Sequence, residues 1–369
     1  MKKRVAIWIY GGIGTGIFSQ GYAALEKLLM GLSVAYEIRV YSQFPVNKDF
    51  VSTNFVVRAA PANVKWGFVR WLILIFYFLR DHRQNRFHLL FSFWGFPAGF
   101  IGTLLSKIVR IPSAVYVLGG DAAGIPVINF GILHRPILRR FAFWAYLKTD
   151  LLFGISEYQR AILMAHGITR TIVIPWGVEL RRYRVAVPGS NTTLRFIHVG
   201  HFNKVKDQIT LLKAFALIQK KHAAELRIYG EDFLNGELQK KCIELSIESK
   251  VYFMGMVPYD KMPDEYSRAD IMLHTSWSEG QSMALTEAAA SGVLLAGTRV
   301  GLLFDLGDEG GVAVDVGDFE RLAARVLSIL ENKDEWSQKV RFARAWAETH
   351  DLMWTTQRIV EHLDRTLAR

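Results

Sequence analysis

SWSEGQSMALTEAAASGVLLAGTRV, residues Ser276–Val300, places two glutamates, Glu279 and Glu287, with seven residues between them. Gly280, Gln281 and Ser282 read as a loop and helix N-terminus, and Met283–Ala290 is a run of good helix formers. Gly292 closes that helix, and VLLAG reads as a buried parallel strand. One carboxylate therefore precedes a helix and the other lies one to two turns inside it. The first amides of such a helix lack intrahelical partners and, with the helix dipole, suit an anion, while carboxylates suit sugar hydroxyls. A buried helix with two solvated or capping glutamates would give the same spacing.

Working outward, short apolar segments alternate with helical patterns along the chain. Arg4–Tyr10, Glu37–Tyr41, Phe55–Arg58, His88–Ser92, Ser113–Leu118, Leu151–Ile155 and Thr171–Ile174 read as strands. Gly177–Thr193 is polar and irregular and carries Pro188-Gly189-Ser190, the best linker in the chain. Alternation resumes with strands at Leu194–Val199, Leu226–Tyr229, Val251–Met254 and Ile271–His274. The pattern predicts an α/β fold of two helix-wrapped parallel sheets, with ligands bound at the C-terminal strand edges between them. The expected division is a first domain over 1–176, a linker over 177–193, a second domain over 194–345 and a crossover helix over 346–369.

With 369 residues, half of them hydrophobic, the chain can build two cores and is not a disordered sequence. Its single cysteine, Cys242, excludes an intramolecular disulfide framework and sits in a helical pattern, where an inert thiol is the plainer reading. Residues 1–190 hold 23 Lys and Arg against 8 Asp and Glu, so the net charge of +11 arises wholly in this half. An anionic membrane, a phosphorylated substrate or nucleic acid could meet such charge. No zinc-ligand spacing or recognition-helix pattern supports nucleic acid, which is not expected as a partner.

Two basic aromatic stretches, Trp66–Leu79 and His134–Lys148, bear on the choice. The longest uninterrupted apolar run of the first, Trp71–Leu79, is far shorter than the roughly 20 residues a spanning helix needs. Each stretch suits either a helix packed on a sheet or one lying at a membrane interface. At the N-terminus the apolar part runs only from Val5 to Tyr10, too short for a secretory signal. The expected location is the cytoplasm, with the inner membrane face as a candidate peripheral site.

Gly11-Gly12-Ile13-Gly14-Thr15-Gly16 follows the first strand but lacks the dinucleotide-binding spacing, and no P-loop lysine is present. This argues against a dehydrogenase or ATPase. In His198–Asp207, HVGHFNKVKD, a strand ends at Gly200 and a basic loop leads into a helix. His201, Lys204 and Lys206 are placed there to meet a diphosphate, or form a solvated basic loop.

Taken in order, FSFWGFPAGFIGTLLSKIVRIPSAVYVLGGD (91–121), GISEYQRAILMAHGITRTIVIPWGVEL (154–180), the 198–216 segment, GMVPYDKMPDEYSRADIMLHTSWSEG (255–280) and the glutamate segment resemble glycosyltransferase family 4, the group 1 glycosyl transferases. The resemblance implies the GT-B fold, with an acceptor-binding first domain and a nucleotide-sugar-binding second domain. It implies retaining, metal-independent transfer from a nucleotide diphosphate sugar, without a cofactor, to a glycan or lipid-linked acceptor in polysaccharide or glycolipid assembly.

It also implies roles. Lys206 falls on the family's diphosphate lysine, Glu279 on the glutamate contacting the transferred sugar, and Glu287 on the one binding the ribose. The amides around Gly280, Gln281, Ser282 and Met283 would meet the diphosphate, and Gly12 and Gly14 lie in the family's glycine loop. Two positions depart from the family. His201 stands where an arginine is usual, and Gly119 where a histidine is expected, with Asp121 as a candidate substitute or a simple turn aspartate. These departures keep two alternatives in view, an inactive partner subunit and a nucleotide-sugar epimerase of the same fold.

Overall fold

The computed structural model describes residues 2–14, 23–47, 50–185 and 193–368. The proposed Pro188-Gly189-Ser190 linker, together with Thr15 and Gly16 of the glycine loop, lies outside the described residues. In the N-terminal half, strands β1 (Lys3–Ile9), β2 (Tyr36–Ser42), β3 (Val56–Ala59), β4 (Leu89–Phe93) and β5 (Ser113–Val117) alternate with helices α1 (Ala23–Ser33), α2 (Gly67–Gln84) and α3 (Phe100–Val109). A two-residue hairpin, β6 (Gly124–Ile125) and β7 (Phe130–Gly131), precedes α4 (Pro136–Lys148), β8 (Leu151–Gly154), α5 (Glu157–Ala165) and β9 (Ile172–Val173). The main sheet is parallel, in the order β3-β2-β1-β4-β5-β8-β9.

Both faces of this sheet are covered, which is why its strands read as apolar runs. Alternate residues of β1 show it: Val5, Ile7 and Ile9 join one cluster with α1, while Ala6 and Trp8 join another with Trp71, Leu74 and Phe78 of α2. α3 and α4 continue that second layer.

The C-terminal domain repeats the scheme. It contains β10 (Leu194–Val199), α6 (Gln208–Gln219), β11 (Ala224–Tyr229), α7 (Glu237–Glu244), β12 (Val251–Gly255), α8 (Met262–Ser267) and β13 (Ile271–His274). After these come α9 (Met283–Ala290), β14 (Leu294–Thr298), α10 (Leu302–Gly310), β15 (Val312–Val314) and α11 (Phe319–Glu331). The sheet order is β12-β11-β10-β13-β14-β15, also parallel. Cys242 is buried in α7, and burial pushes its thiol up to about 11, which keeps it protonated and inert.

The tail divides its packing between the domains. Helix α12 (Lys333–Thr349) packs through Ala343 and Ala347 on the second domain. The chain then breaks at His350–Asp351, where Asp351 caps the next helix by accepting from the Trp354 amide at 2.8 Å. Helix α13 (Leu352–Leu367) crosses to the first domain and buries Ile359 and Leu363 in its core. Each buried side chain of this kind contributes roughly 1.5–3 kcal/mol. Tyr36 adds a hydrogen bond to Asp364 at 2.8 Å. No helix of the described residues is long and apolar enough to cross a membrane.

Candidate active site

The loop after β13 delivers Glu279, and the loop after β10 delivers Lys206. Asp207 starts α6, its side chain accepting from the Thr210 amide, and this fixes the lysine just ahead of it. Lys206 Nζ lies 2.6 Å from Glu279 Oε1, and His274 Nε2 and Ser276 Oγ donate to the same oxygen at 2.9 and 2.6 Å. Burial alone would raise the Glu279 carboxyl, but Lys206 and His274 override it and hold it far below the usual carboxylate range. Glu279 is therefore an anion with a cation in contact. Burial lowers the basicity of His274, which acts as a neutral donor to Glu279. Behind it, His198 accepts from Gln208 at Nε2 and donates from Nδ1 to the Leu273 carbonyl, and burial pulls it down to about 3.

Glu287 has a different environment. It lies inside α9, buried, and accepts from the Tyr266 hydroxyl at 2.9 Å. Burial pushes its carboxyl up to about 7, against the opposing influence of Tyr266, Tyr183 and Arg182. Two carboxylates eight positions apart thus differ in charge near neutral pH. One faces a lysine, and the other sits among tyrosines.

Two cavities meet at α9. The larger, about 790 Å³, lies between the domains. Its far wall comes from the first domain and includes Trp94, Phe96, Gly119, Asp121, Phe130 and Arg135. Its near wall is Glu279, Gly280, Gln281, Ser282 and Met283. The smaller, about 310 Å³, is more apolar and is lined by Val199, His201, Tyr229, Met256, Val257 and Glu287.

The turn into α9 is built for close approach. Ser282 takes φ 77°, a left-handed value that a non-glycine residue rarely adopts, and its hydroxyl accepts from the Leu285 amide. A Cβ on Gly280 would fall 2.1 Å from the Leu118 carbonyl oxygen of the first domain, so only glycine fits there.

The domains are stitched around this turn. Gln281 accepts from the Trp176 amide at 2.7 Å and returns a bond to the Trp176 carbonyl at 2.9 Å. Ser156 donates to the Gly280 carbonyl. Asp305 of α10 accepts the first two amides of α5, Glu157 at 2.9 Å and Tyr158 at 2.8 Å. Burial nevertheless pushes the Asp305 carboxyl up to about 6.

The structure brings together Lys206, Glu279, Gly280, Gln281, Ser282, Met283 and Glu287, with His201 on the wall of the smaller cavity. Other residues expected at the site fall elsewhere. Lys204 is exposed and lines neither cavity. Gly12 and Gly14 are buried in the turn after β1, Gly14 lies beneath the Phe50 ring, and neither is on a cavity wall. Asp121 reaches the cavity wall, but its two oxygens accept the Gly95 and Gly119 amides at 2.7 and 2.8 Å. It clamps two loops, and a Cβ at Gly119 would meet only open space. His274, Ser276, Tyr183, Tyr266 and Asp305 were not anticipated. The available signal for His274 was a polar residue at the C-terminal end of a buried strand.

Two parallel-sheet domains facing across a cleft, bridged by a helix returning to the first, define the GT-B class. Residues 193–332 match the family model described as glycosyl transferases group 1, which places the C-terminal domain in that family. The chain is 31% identical to N-acetyl-alpha-D-glucosaminyl L-malate synthase of Bacillus anthracis over 222 residues. That match spans 60% of this chain and 57% of that protein. Among solved structures, sucrose-phosphate synthase from Thermosynechococcus elongatus superposes with a TM-score of 0.85 at 16% identity, covering all of both chains. Anabaena HepE in complex with UDP-glucose gives a TM-score of 0.76 at 19% identity, over 98% of this chain and 99% of that one. At these identities the structural likenesses show the fold, and the sequence match carries the family. The resemblance read from the sequence and the GT-B expectation are both borne out.

Proposed function

We propose that the chain is a retaining, metal-independent glycosyltransferase that moves a sugar from a nucleotide diphosphate sugar to an acceptor bound in the first domain. The observation that carries this reading is the junction of two cavities at the start of α9, with Glu279, ionised and paired to Lys206, on one side and Glu287 on the other. In this reading the nucleoside fills the smaller, apolar cavity and Glu287 accepts from the ribose hydroxyls. The diphosphate meets the α9 amides and Lys206, which together supply the charge a metal would otherwise provide. His201 stands at the nucleoside end, where its ring nitrogen already accepts from the Glu231 amide. The HepE complex shows that a chain of this fold holds UDP-glucose, and that supports a nucleotide-sugar donor here.

In the transfer step the bond from the sugar's anomeric carbon to the phosphate oxygen breaks, and the acceptor oxygen bonds to that carbon on the same face. The acceptor's proton passes to the departing diphosphate. Lys206 and the helix amides stabilise the leaving charge, while Glu279 offsets the positive charge developing on the sugar. Asp121 acts by holding the 95 and 119 loops that shape the acceptor wall.

Titration with UDP-, GDP- and ADP-sugars, read as thermal shift, tests donor binding, because a ligand that binds only the folded state raises its stability. Product analysis with a bound donor then tests transfer. No shift with any nucleotide sugar would refute this reading, and conversion of the donor without an acceptor would replace it with epimerisation.

A further inference from the structure

We infer that the outer layer α2–α3–α4 of the first domain docks on an anionic lipid bilayer and delivers a lipid-anchored acceptor into the larger cavity. This deepens the transferase reading by naming its acceptor class, and it rests on that reading for the acceptor alone. The three helices cover one face of the first sheet and share its core clusters, so their outer sides form one surface. On that surface Phe68, Leu72 and Phe76 of α2 repeat every fourth residue and are 64%, 58% and 61% exposed. Ile108 of α3 and Ile137 and Phe141 of α4 are also exposed. Single exposed apolar residues need no explanation, but a stripe of this kind spread over three adjoining helices does.

Charge selects the occupant. Together α2, α3 and α4 carry seven Lys and Arg and one acidic residue, Asp81. Asp81 is buried, bound by Arg39 at 2.9 Å and by the Tyr41 hydroxyl at 3.0 Å, so it adds no negative charge to the outer face. Exposed Arg80, Arg83, Arg140 and Lys148 accompany the apolar residues, and Lys107 is paired at 3.3 Å with Asp150 just beyond α4. A surface both apolar and strongly net cationic complements an anionic bilayer. Duplex nucleic acid would meet the cations through its phosphates but leave Phe68, Leu72, Phe76, Ile108 and Ile137 in water.

Continuity with the site supplies the acceptor. Phe96 lines the larger cavity and packs at 6.2 Å on Phe141 of the outer face, and Phe100 bridges Phe141 and Trp144 at 4.9 and 5.5 Å. An aromatic ridge therefore runs from cavity to surface. Arg135, immediately before α4, lines the cavity mouth at its end. An acceptor with an anionic head and a hydrocarbon tail fits that path, with the head near Arg135 and the tail along the ridge into the bilayer.

The experiment is flotation of the purified chain with phosphatidylcholine vesicles, with and without phosphatidylglycerol, at low and high salt. Binding should require phosphatidylglycerol and fall with salt. Reversing charge at R83E and R140E should weaken partitioning roughly tenfold or more. The exposed-residue variant F68S/F76S should weaken binding to the same vesicles. Thermal shift with nucleotide sugar should stay unchanged in both variants, so that failure here is distinguishable from failure of the transferase reading. No flotation at low salt, flotation of both variants as strong as the parent's, or equal binding to neutral vesicles overturns the inference. Retention of RNA by the same face without vesicle binding also overturns it.

Discussion

Replacing Glu287 by glutamine should make the ligand-free protein more stable at neutral and alkaline pH. The carboxyl is buried inside α9 and pushed from 4.5 to about 7. Below pH 4.5 it is protonated in both folded and unfolded chains and contributes nothing. Between 4.5 and about 7 the unfolded chain has released the proton and the folded chain still holds it. Stability from this group therefore falls as pH rises through that window, and the loss is complete above pH 7. At about 1.4 kcal/mol per pH unit the loss is about 3 kcal/mol. Glutamine keeps an oxygen for the Tyr266 hydroxyl and does not ionise, so Glu287→Gln should recover that amount at pH 8. For a domain of this size the gain corresponds to a Tm rise of roughly 6–12 °C. Calorimetry at pH 4.5 and pH 8 is the assay. The difference between variant and parent should be near zero at the lower pH and large at the higher. A variant no more stable than the parent at pH 8, or a gain of equal size at both pH values, would refute the electrostatic argument. Donor affinity should move the other way, weakened roughly ten- to hundredfold by the lost acceptor.

The remaining predictions concern the neighbours of that helix. Removing Lys206 as K206A leaves the Glu279 carboxylate without its cation and should cost about 3 kcal/mol at neutral pH. Glu279 is held well below 4.5, so its stabilising share is present above that pH and lost as pH falls through the depressed folded value. Acid unfolding should therefore begin at a higher pH in K206A, and an unchanged acid midpoint would count against the ion pair. E279Q should lower transfer by roughly a hundredfold or more with the fold intact, as donor-binding and turnover assays would show. In D305A the amides of Glu157 and Tyr158 lose their acceptor, and hydrogen exchange at these two positions should accelerate roughly tenfold. G280A should push Leu118 away from the α9 turn and open the cleft, seen as a larger radius of gyration in solution scattering.

The fold was legible because its strands are buried on both faces. The expected strands His88–Ser92, Ser113–Leu118 and VLLAG are apolar runs, and each falls within one residue of a strand, β4, β5 and β14. Helix α9 begins at Met283 and ends at Ala290, as its helix formers predict. What the pattern missed was set by tertiary contact. The β6–β7 hairpin has two residues per strand, too few for any periodicity to register. The tail reads as one helix from Trp346, but it must pass from one domain to the other and breaks at His350–Asp351. Thr355 fixes the crossing there by donating to the Pro175 carbonyl and accepting the Gly177 amide.

The same division runs through the site. Lys206, Glu279 and Glu287 stood out as charged residues near strand and helix ends, and the family resemblance supplied the roles that their spacing alone left open. His274 and Ser276 did not stand out, since polar residues at the end of an apolar run look like core or turn until the lysine closes on the same carboxylate from another loop. Protonation was hidden for the same cause. Nothing local to SEGQSMALTE distinguishes its two carboxyls: Glu279 is held ionised by Lys206, 73 residues away, while Glu287 is raised by its burial without a cation in contact. That difference has a functional consequence. If ribose hydroxyls donate to Glu287, a bound donor selects the ionised carboxylate, so binding releases a proton below about pH 7. Donor affinity should then rise with pH up to about 7 and level off above it, while E287Q should show no such slope. Calorimetric titration in buffers of different ionisation enthalpy reads the released proton directly, and no proton release at pH 6 would place the ribose elsewhere.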